Sequence, residues 1–155
     1  MEKDLGAEFI AIAHRFKRVS INSMFPDLSK GEFWVLKMLH VNCLKNEGDK
    51  GVYVSKIAAH LKVTPSAISR MLRGLEEKGL IERSVDKNDR RNTYVFLTEK
   101  GDKAREKIED HMNEFAKRVI ATMGEDDSKM LINLCNKLID TMEVEMVKYK
   151  EEHQL

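Results

Sequence analysis

Two adjacent arginines, Arg90 and Arg91, stand in the charged stretch "VDKNDRRNTYVFLTEKG", residues 85–101. The apolar run "GLIERSV" precedes that stretch and the alternating run "TYVFLT" lies within it. An apolar run and an alternating run on either side of a tip rich in Asn and Asp predict a β-hairpin. Guanidinium groups on such a tip suit phosphate, or the narrow minor groove of DNA, where negative potential is concentrated. Asp89, two residues before Arg91, can fork a hydrogen-bonded pair to it and hold the long side chain extended. An arginine ordered beforehand loses less rotamer entropy on binding. Asp86, Asn88 and Asn92 suit the turn itself.

The segment before the hairpin, "TPSAISRMLRGLEEKGL", reads as the clearest helix in the chain. Thr64 is a good N-cap, Pro65 fits the first helical position, and Gly79 falls where a glycine ends a helix. At about 100° per residue, Ile68, Leu72 and Leu75 gather on one face with Met71 beside them. Ser66, Ser69, Arg70 and Arg73 gather on the opposite face. Small polar side chains let a helix backbone approach a groove floor, and arginine matches the paired acceptors of guanine or a phosphate. A short helix, "SKIAAHL", and a tight turn, "KVT", precede it, which together make a helix-turn-helix with the hairpin as its wing.

Other elements must hold this head in place. Leu5, Phe9, Ile12, Phe16 and Val19 form one stripe of a helix over roughly residues 2–23. Ser29 and Glu32 form a capping box for a second helix, "GEFWVLKMLHVNCLK". "NEGDKG" reads as a loop, and "VY" before the short helix as a short strand. Thr98 can cap a long helix striped with Ala104, Ile108, Met112, Phe115 and Val119. After "MGEDDS" a last helix carries Leu131, Leu134, Leu138, Met142 and Tyr149. The terminal helices have narrow apolar stripes amid many Glu and Lys, and such helices are marginal alone. They predict a homodimer built from the termini, with an intramolecular bundle as the alternative.

The bulk numbers agree. The chain has 155 residues, 42% hydrophobic and 34% charged, with 2 prolines and 8 glycines, the composition of a folded, helix-rich protein. Net charge is +1 overall. The window from Ser55 to Asn92 holds nine basic and five acidic side chains, so a basic centre lies between acidic ends, a modest footprint for a polyanion. No apolar stretch approaches the ~20 residues of a membrane span. The first residues lack the pattern of a secretory signal. Cys43 and Cys135, far apart and outside any CxxC, predict free thiols in a reducing cytoplasm.

"VSKIAAHLKVTPSAISRMLRGLEEKGLIERSVDKNDRRNTYVFLTEKG" resembles the DNA-binding core of the MarR family of bacterial transcriptional regulators. The most specific piece is "DKNDRRNTYVFLTEKG", similar to the family's wing pattern of Asp, Asp-Arg-Arg and Leu-Thr-x-x-Gly. "LSKGEFWVL" resembles that family's second helix. The resemblance implies a fold that is mainly α with a small β-wing: a winged helix-turn-helix core over residues 30–100, within a single domain of residues 1–155, with dimerisation helices at residues 1–25 and 101–155. It implies a homodimer that binds a pseudo-palindromic double-stranded operator, usually as a repressor, and is released by a small molecule or an oxidant. Carried onto this chain, it makes Ser66, Ser69, Arg70 and Arg73 the major-groove readers, at a helix opened by Thr64 and Pro65. Arg91 becomes the minor-groove residue, Asp89 its buttress and Arg90 a phosphate contact. Position 87 is Lys where family members often have Pro.

The effector is harder to read. The resemblance places a pocket between the first two helices and the winged core, where His14, Phe16, Trp34 and Met38 would line it. Cys43 and Cys135 are expected to be buried, inert thiols, although a cysteine-based redox regulator is an alternative. The histidines are scattered and predict no metal site. No HExxH, GxSxG or phosphate-cradling loop occurs, so neither a cofactor nor an enzyme is expected. A winged helix that binds protein rather than DNA is the other alternative. Such a module should carry apolar anchors on the face where this chain has Ser, Ser, Arg and Arg.

Overall fold

A computed structural model describes residues 4–19, 24–45, 51–86, 89 and 92–154. The elements in chain order are α1 (Leu5–Arg18), α2 (Lys30–Lys45), β1 (Val52–Tyr53), α3 (Val54–Leu61), α4 (Pro65–Glu77), β2 (Ile81–Val85), β3 (Thr93–Leu97), α5 (Glu99–Met123) and α6 (Glu125–His153). The strands form one antiparallel sheet in the order β1-β3-β2. This is the mainly helical fold with a small β-wing that the resemblance implies. The chain divides into two compact units, Met1–His111 and Met112–Leu155, with the boundary inside α5.

The first unit has one core. Phe33, Val35, Leu36 and Leu39 of α2 meet Ile57 of α3, Ile68, Leu72 and Leu75 of α4, and Val52, Ile81 and Val95 of the sheet, all nearly sealed from solvent. Each such side chain contributes roughly 1.5–3 kcal/mol by leaving water. Ile108 extends the core into the first turns of α5, so this unit continues past residue 100.

Local signals set the element boundaries. Ser29 and Glu32 cap α2 reciprocally: the Ser29 amide donates to Glu32 Oε2 (2.7 Å) and the Glu32 amide to Ser29 Oγ (3.2 Å). Burial raises the Glu32 pKa, but the Ser29 amide and the Lys78 ammonium outweigh it, so the carboxyl stays below its usual range. Asp4 caps α1 by accepting from the Gly6 amide (2.9 Å). Gly79, at φ +70°, ends α4 in a left-handed conformation that other residues adopt at a cost.

A polar layer joins α2 to the start of α5. Arg105, 6% exposed, donates through Nε to Asp102 Oδ1 (2.7 Å) and through Nη1 to Glu109. His40 and Lys37 of α2 meet Asp102 (2.9 Å) and Glu109 (3.0 Å). Burial works against the Arg105 charge, yet Asp102 and Glu109 prevail and raise its pKa.

α1 has no buried residue. Its predicted stripe, Leu5, Phe9, Ile12, Phe16 and Val19, is exposed. In the second unit α6 buries Ser128 alone, while Leu131, Leu134, Leu138, Met142 and Tyr149 are open to solvent. Cys43 and Cys135 are both exposed, against the expectation of buried thiols. Cys43 lies where α2 has run past its core contacts, beside an exposed Leu44. Cys135 lies on α6, whose apolar stripe is exposed among the described residues. Among the described residues no helix is long and apolar enough to cross a membrane.

Candidate nucleic-acid interface

The predicted reading helix is α4. Thr64 accepts from the Ala67 amide (3.3 Å), Pro65 occupies the first turn, and Ile68, Leu72 and Leu75 turn inward. That inward face fixes what points outward. Thr64, Pro65, Ser66, Ser69, Arg70 and Arg73 are all exposed. Two local bonds keep the short side chains close to the helix: Ser69 Oγ donates to the Pro65 carbonyl (2.8 Å), and Thr64 Oγ1 lies 3.1 Å from Ser66 Oγ. The helix start is therefore low in profile, and the two guanidinium groups follow one turn later.

The turn between α3 and α4 depends on Lys62, a non-glycine residue in the left-handed region (φ +52°). Its backbone N–H donates back into α3, as does Val63's to Ala58 (3.1 Å). Nothing in the residue type signalled this position.

The wing is clamped to the far end of α4. Thr98, at the exit of β3, donates its hydroxyl to the Gly79 carbonyl (2.9 Å) and its amide to the Leu80 carbonyl (3.2 Å). The same hydroxyl accepts from the Gly101 amide (3.0 Å), which caps α5. A Cβ at Gly101 would fall 2.0 Å from the Leu80 carbonyl oxygen, so only glycine lets α5 start this close. The "LTEKG" pattern is thus a joint between reading helix, wing and α5. Lys100 strengthens it by donating to the Lys78 carbonyl (2.6 Å).

β2 adds Arg83, which sequence reasoning counted as charge but gave no role. It pairs with Glu76 of α4, with Nε 3.0 Å from Glu76 Oε2. The bond holds the Glu76 carboxyl below its ordinary range and raises the arginine further. Arg83 also lines a cleft of about 350 Å³ between α4 and the wing, with Ser55, Ser69, Asn92 and Thr93 among its walls.

At the wing tip, Arg90 and Arg91 lie outside the described residues, as do positions 87 and 88. Asp89 is half-buried. Its side chain accepts from Asn92 Nδ2 (3.2 Å), its carbonyl accepts from the Asn92 amide (2.9 Å), and its own amide reaches Asp86 Oδ1 (3.4 Å). Asp86 and Asn92 close the hairpin, the Asp86 amide donating to the Asn92 carbonyl (2.9 Å).

The four residues expected around an effector lie on α1 and α2. Phe16 lines a cleft of about 330 Å³ with Ile12 and Arg15 of its own helix and Val19 at the helix's C-cap. His14 is exposed, Met38 is half-buried, and Trp34 is half-exposed with the Lys37 ammonium 5.4 Å over its ring.

With this geometry the comparisons with known proteins are specific. Residues 28–93 match the model of the MarR family. Over that span the chain is similar to the MarR family. The matched span runs from the turn before α2 to the start of β3, so it takes in the reading helix. Among relatives, a stretch of 102 residues is 30% identical to the HTH-type transcriptional repressor MdtR of Bacillus subtilis, covering 66% of this chain and 64% of that protein. A stretch of 87 residues is 30% identical to YwaE of the same organism, an HTH-type transcriptional regulator, over 56% and 51% of the two chains. The matched stretch thus spans about half to two thirds of these curated relatives. The fold is shared with a mutant of MepR from Staphylococcus aureus (TM-score 0.72, 24% identity, 90% and 98% of the chains). It is also shared with a second MepR mutant bound to an oligodeoxyribonucleotide (TM-score 0.60, 24% identity, 91% and 99% covered).

Proposed function

We propose that this chain is a DNA-binding transcription regulator of the MarR family, acting as a repressor-type homodimer on an inverted-repeat operator. The observation that carries this is the outward face of α4. It is short and polar at its start, cationic one turn on, and jointed at its far end to a wing. Ser66, Ser69, Arg70 and Arg73 would read the major groove from a helix opened by Thr64 and Pro65. Arg91, buttressed by Asp89, would enter the minor groove, with Arg90 on phosphate. A face built for a protein partner would carry apolar anchors there, and this one has none.

Dimerisation would use the stripes of α1 and α6, whose leucines, phenylalanines and methionines are too exposed for a stable isolated helix. Pairing would set two α4 helices about 34 Å apart, one turn of duplex. A small-molecule effector, the cytoplasm as location and the absence of catalysis belong to the same reading.

The decisive test is selection of bound sequences from random duplex DNA. An inverted repeat with half-sites about one turn apart is the expected result; no enrichment would overturn the reading. On the selected operator, Arg91→Ala should weaken binding by about 1–3 kcal/mol with the fold intact. An unchanged affinity at matched salt would take the wing out of the mechanism.

A further inference from the structure

Tyr53 and Tyr94 stand directly opposite each other in the β1–β3 pairing. Their rings stack at 4.3 Å with an interplanar angle of 26°. Their hydroxyl oxygens lie 2.5 Å apart, and the Tyr53 hydroxyl also donates to Asp86 Oδ2 (3.0 Å). A phenol has one proton to give. If Tyr53 gives its proton to the carboxylate, Tyr94 must donate to Tyr53. The order is then fixed: Tyr94 to Tyr53 to Asp86.

The relay joins places that matter. Tyr53 is the residue immediately before α3 and occupies its N-cap position without a side-chain cap bond. Its hydroxyl is committed elsewhere. Asp86 follows the last residue of β2, where the hairpin tip begins. One Asp86 oxygen accepts from Tyr53 and the other from the Asp89 amide (3.4 Å), while the Asp86 amide closes the hairpin on Asn92. The Thr98 joint fixes the wing where it leaves the sheet. The tyrosine relay fixes it at the opposite end, against the first residue of the helix-turn-helix. All three side chains are half-buried, in a setting that strengthens a bond to a charged acceptor.

We infer that Tyr53 is the positioning residue of the wing: through Asp86 it holds the tip at a set distance and angle from α4, and so fixes the spacing between major-groove and minor-groove contacts. This rests on the DNA-binding reading above. Tyr94 supports Tyr53 by stacking and by supplying the proton that leaves Tyr53's own free for Asp86. Tyr94 and then Asp86 hold the Tyr53 phenol far above its ordinary ionisation range, as expected of a hydroxyl that accepts from one partner and donates to the other. The amide of Asp89, the residue expected to buttress Arg91, meets the carboxylate that Tyr53 holds.

Two measurements on the full chain test this, using Tyr53→Phe, which keeps the ring stack and removes the hydroxyl. The first is amide hydrogen exchange at Asp86, Asp89 and Asn92. It should quicken on the order of tenfold, the loss expected for one hydrogen bond to a charged group, while amides of Leu72 and Leu75 are unchanged. Tyr94→Phe leaves the Tyr53–Asp86 bond in place and should have a smaller effect. The second is selection from random duplex DNA. The Tyr53→Phe protein should keep its preference at positions read by α4 and lose it at the flanking positions read by the wing. Unchanged exchange in Tyr53→Phe overturns the relay. Faster exchange with unchanged flanking preference overturns the positioning role. If the unaltered protein enriches no sequence, the DNA-binding reading fails and the positioning role falls with it, while exchange still decides whether the wing is tethered. Should Tyr53→Phe not fold, Asp86→Asn is read by the same two measurements, with the same signs.

Discussion

The winged core and the terminal helices use the same apolar residues at the same helical spacing, and they end up differently. Leu36, Leu72 and Leu75 are at 0% exposure; Phe16 is at 72% and Leu134 at 58%. The core is completed by its own chain, with α2, α3, α4 and the sheet closing on one another. Among the described residues, the stripes of α1 and α6 stay exposed. Helical periodicity reports that a face wants cover; it does not report which molecule supplies it.

The comparison can be broken most sharply in the core. Leu72→Ala should cost about 2–5 kcal/mol, read as a fall in the denaturation midpoint of the purified protein. A loss below about 1 kcal/mol would mean that the core is less complete than its burial implies. Phe16→Ser is the counterpart in α1. It should leave the wing-core amides as protected as before, but weaken self-association by roughly 2–4 kcal/mol, counting both copies. Sedimentation at several concentrations would show it. A dimer unchanged by that substitution would mean that α1 is not what covers its partner.

A smaller effect belongs to the joint. Thr98→Val keeps the volume and deletes one hydroxyl that serves both Gly79 and Gly101, which should cost about 1–2 kcal/mol. The smallest effect belongs to the capping box. Glu32 has a lowered pKa, so it binds its proton less readily folded than unfolded. Its contribution is present above the unfolded pKa and is lost as pH falls through the folded one. Glu32→Gln should therefore cost about 0.5–1.5 kcal/mol near neutral pH, and the gap from the unaltered protein should narrow below about pH 4. A constant gap across that range would assign the loss to packing rather than charge.

Much of the winged core was legible because its signals are local. The Ser29–Glu32 box, the Thr64-Pro65 start and Gly79 stop of α4, and the two alternating strands each lie within a few residues of what they control. The joint at Thr98 was half legible: the threonine could be read as a cap for α5. Its bond to Gly79, and the need for glycine at 101, emerge only once α5 meets the Leu80 carbonyl. The Tyr53–Tyr94–Asp86 relay was not legible. It links residues 41 and 33 positions apart through a two-residue strand, too short to announce its register. Asp86 and Asn92 read as ordinary turn residues, and that is half of what they do. The thiols misled for another reason: Cys43 and Cys135 sit among apolar neighbours, which in this chain are themselves uncovered. Arg90 and Arg91, the most conspicuous residues of the sequence, lie outside the described residues.

The backbone bond between Asp86 and Asn92 closes the hairpin before its tip begins, and Thr98 anchors the strand that leaves it. The strands below that closure keep their pairing by their own register, whatever side chains the interval between Asp86 and Asn92 carries. A cassette of the same length, carrying different cations or none, could be grafted there and the helix beneath would keep its seat. Under the proposed function, the preference for flanking bases can drift over generations while the half-site assigned to α4 stays put.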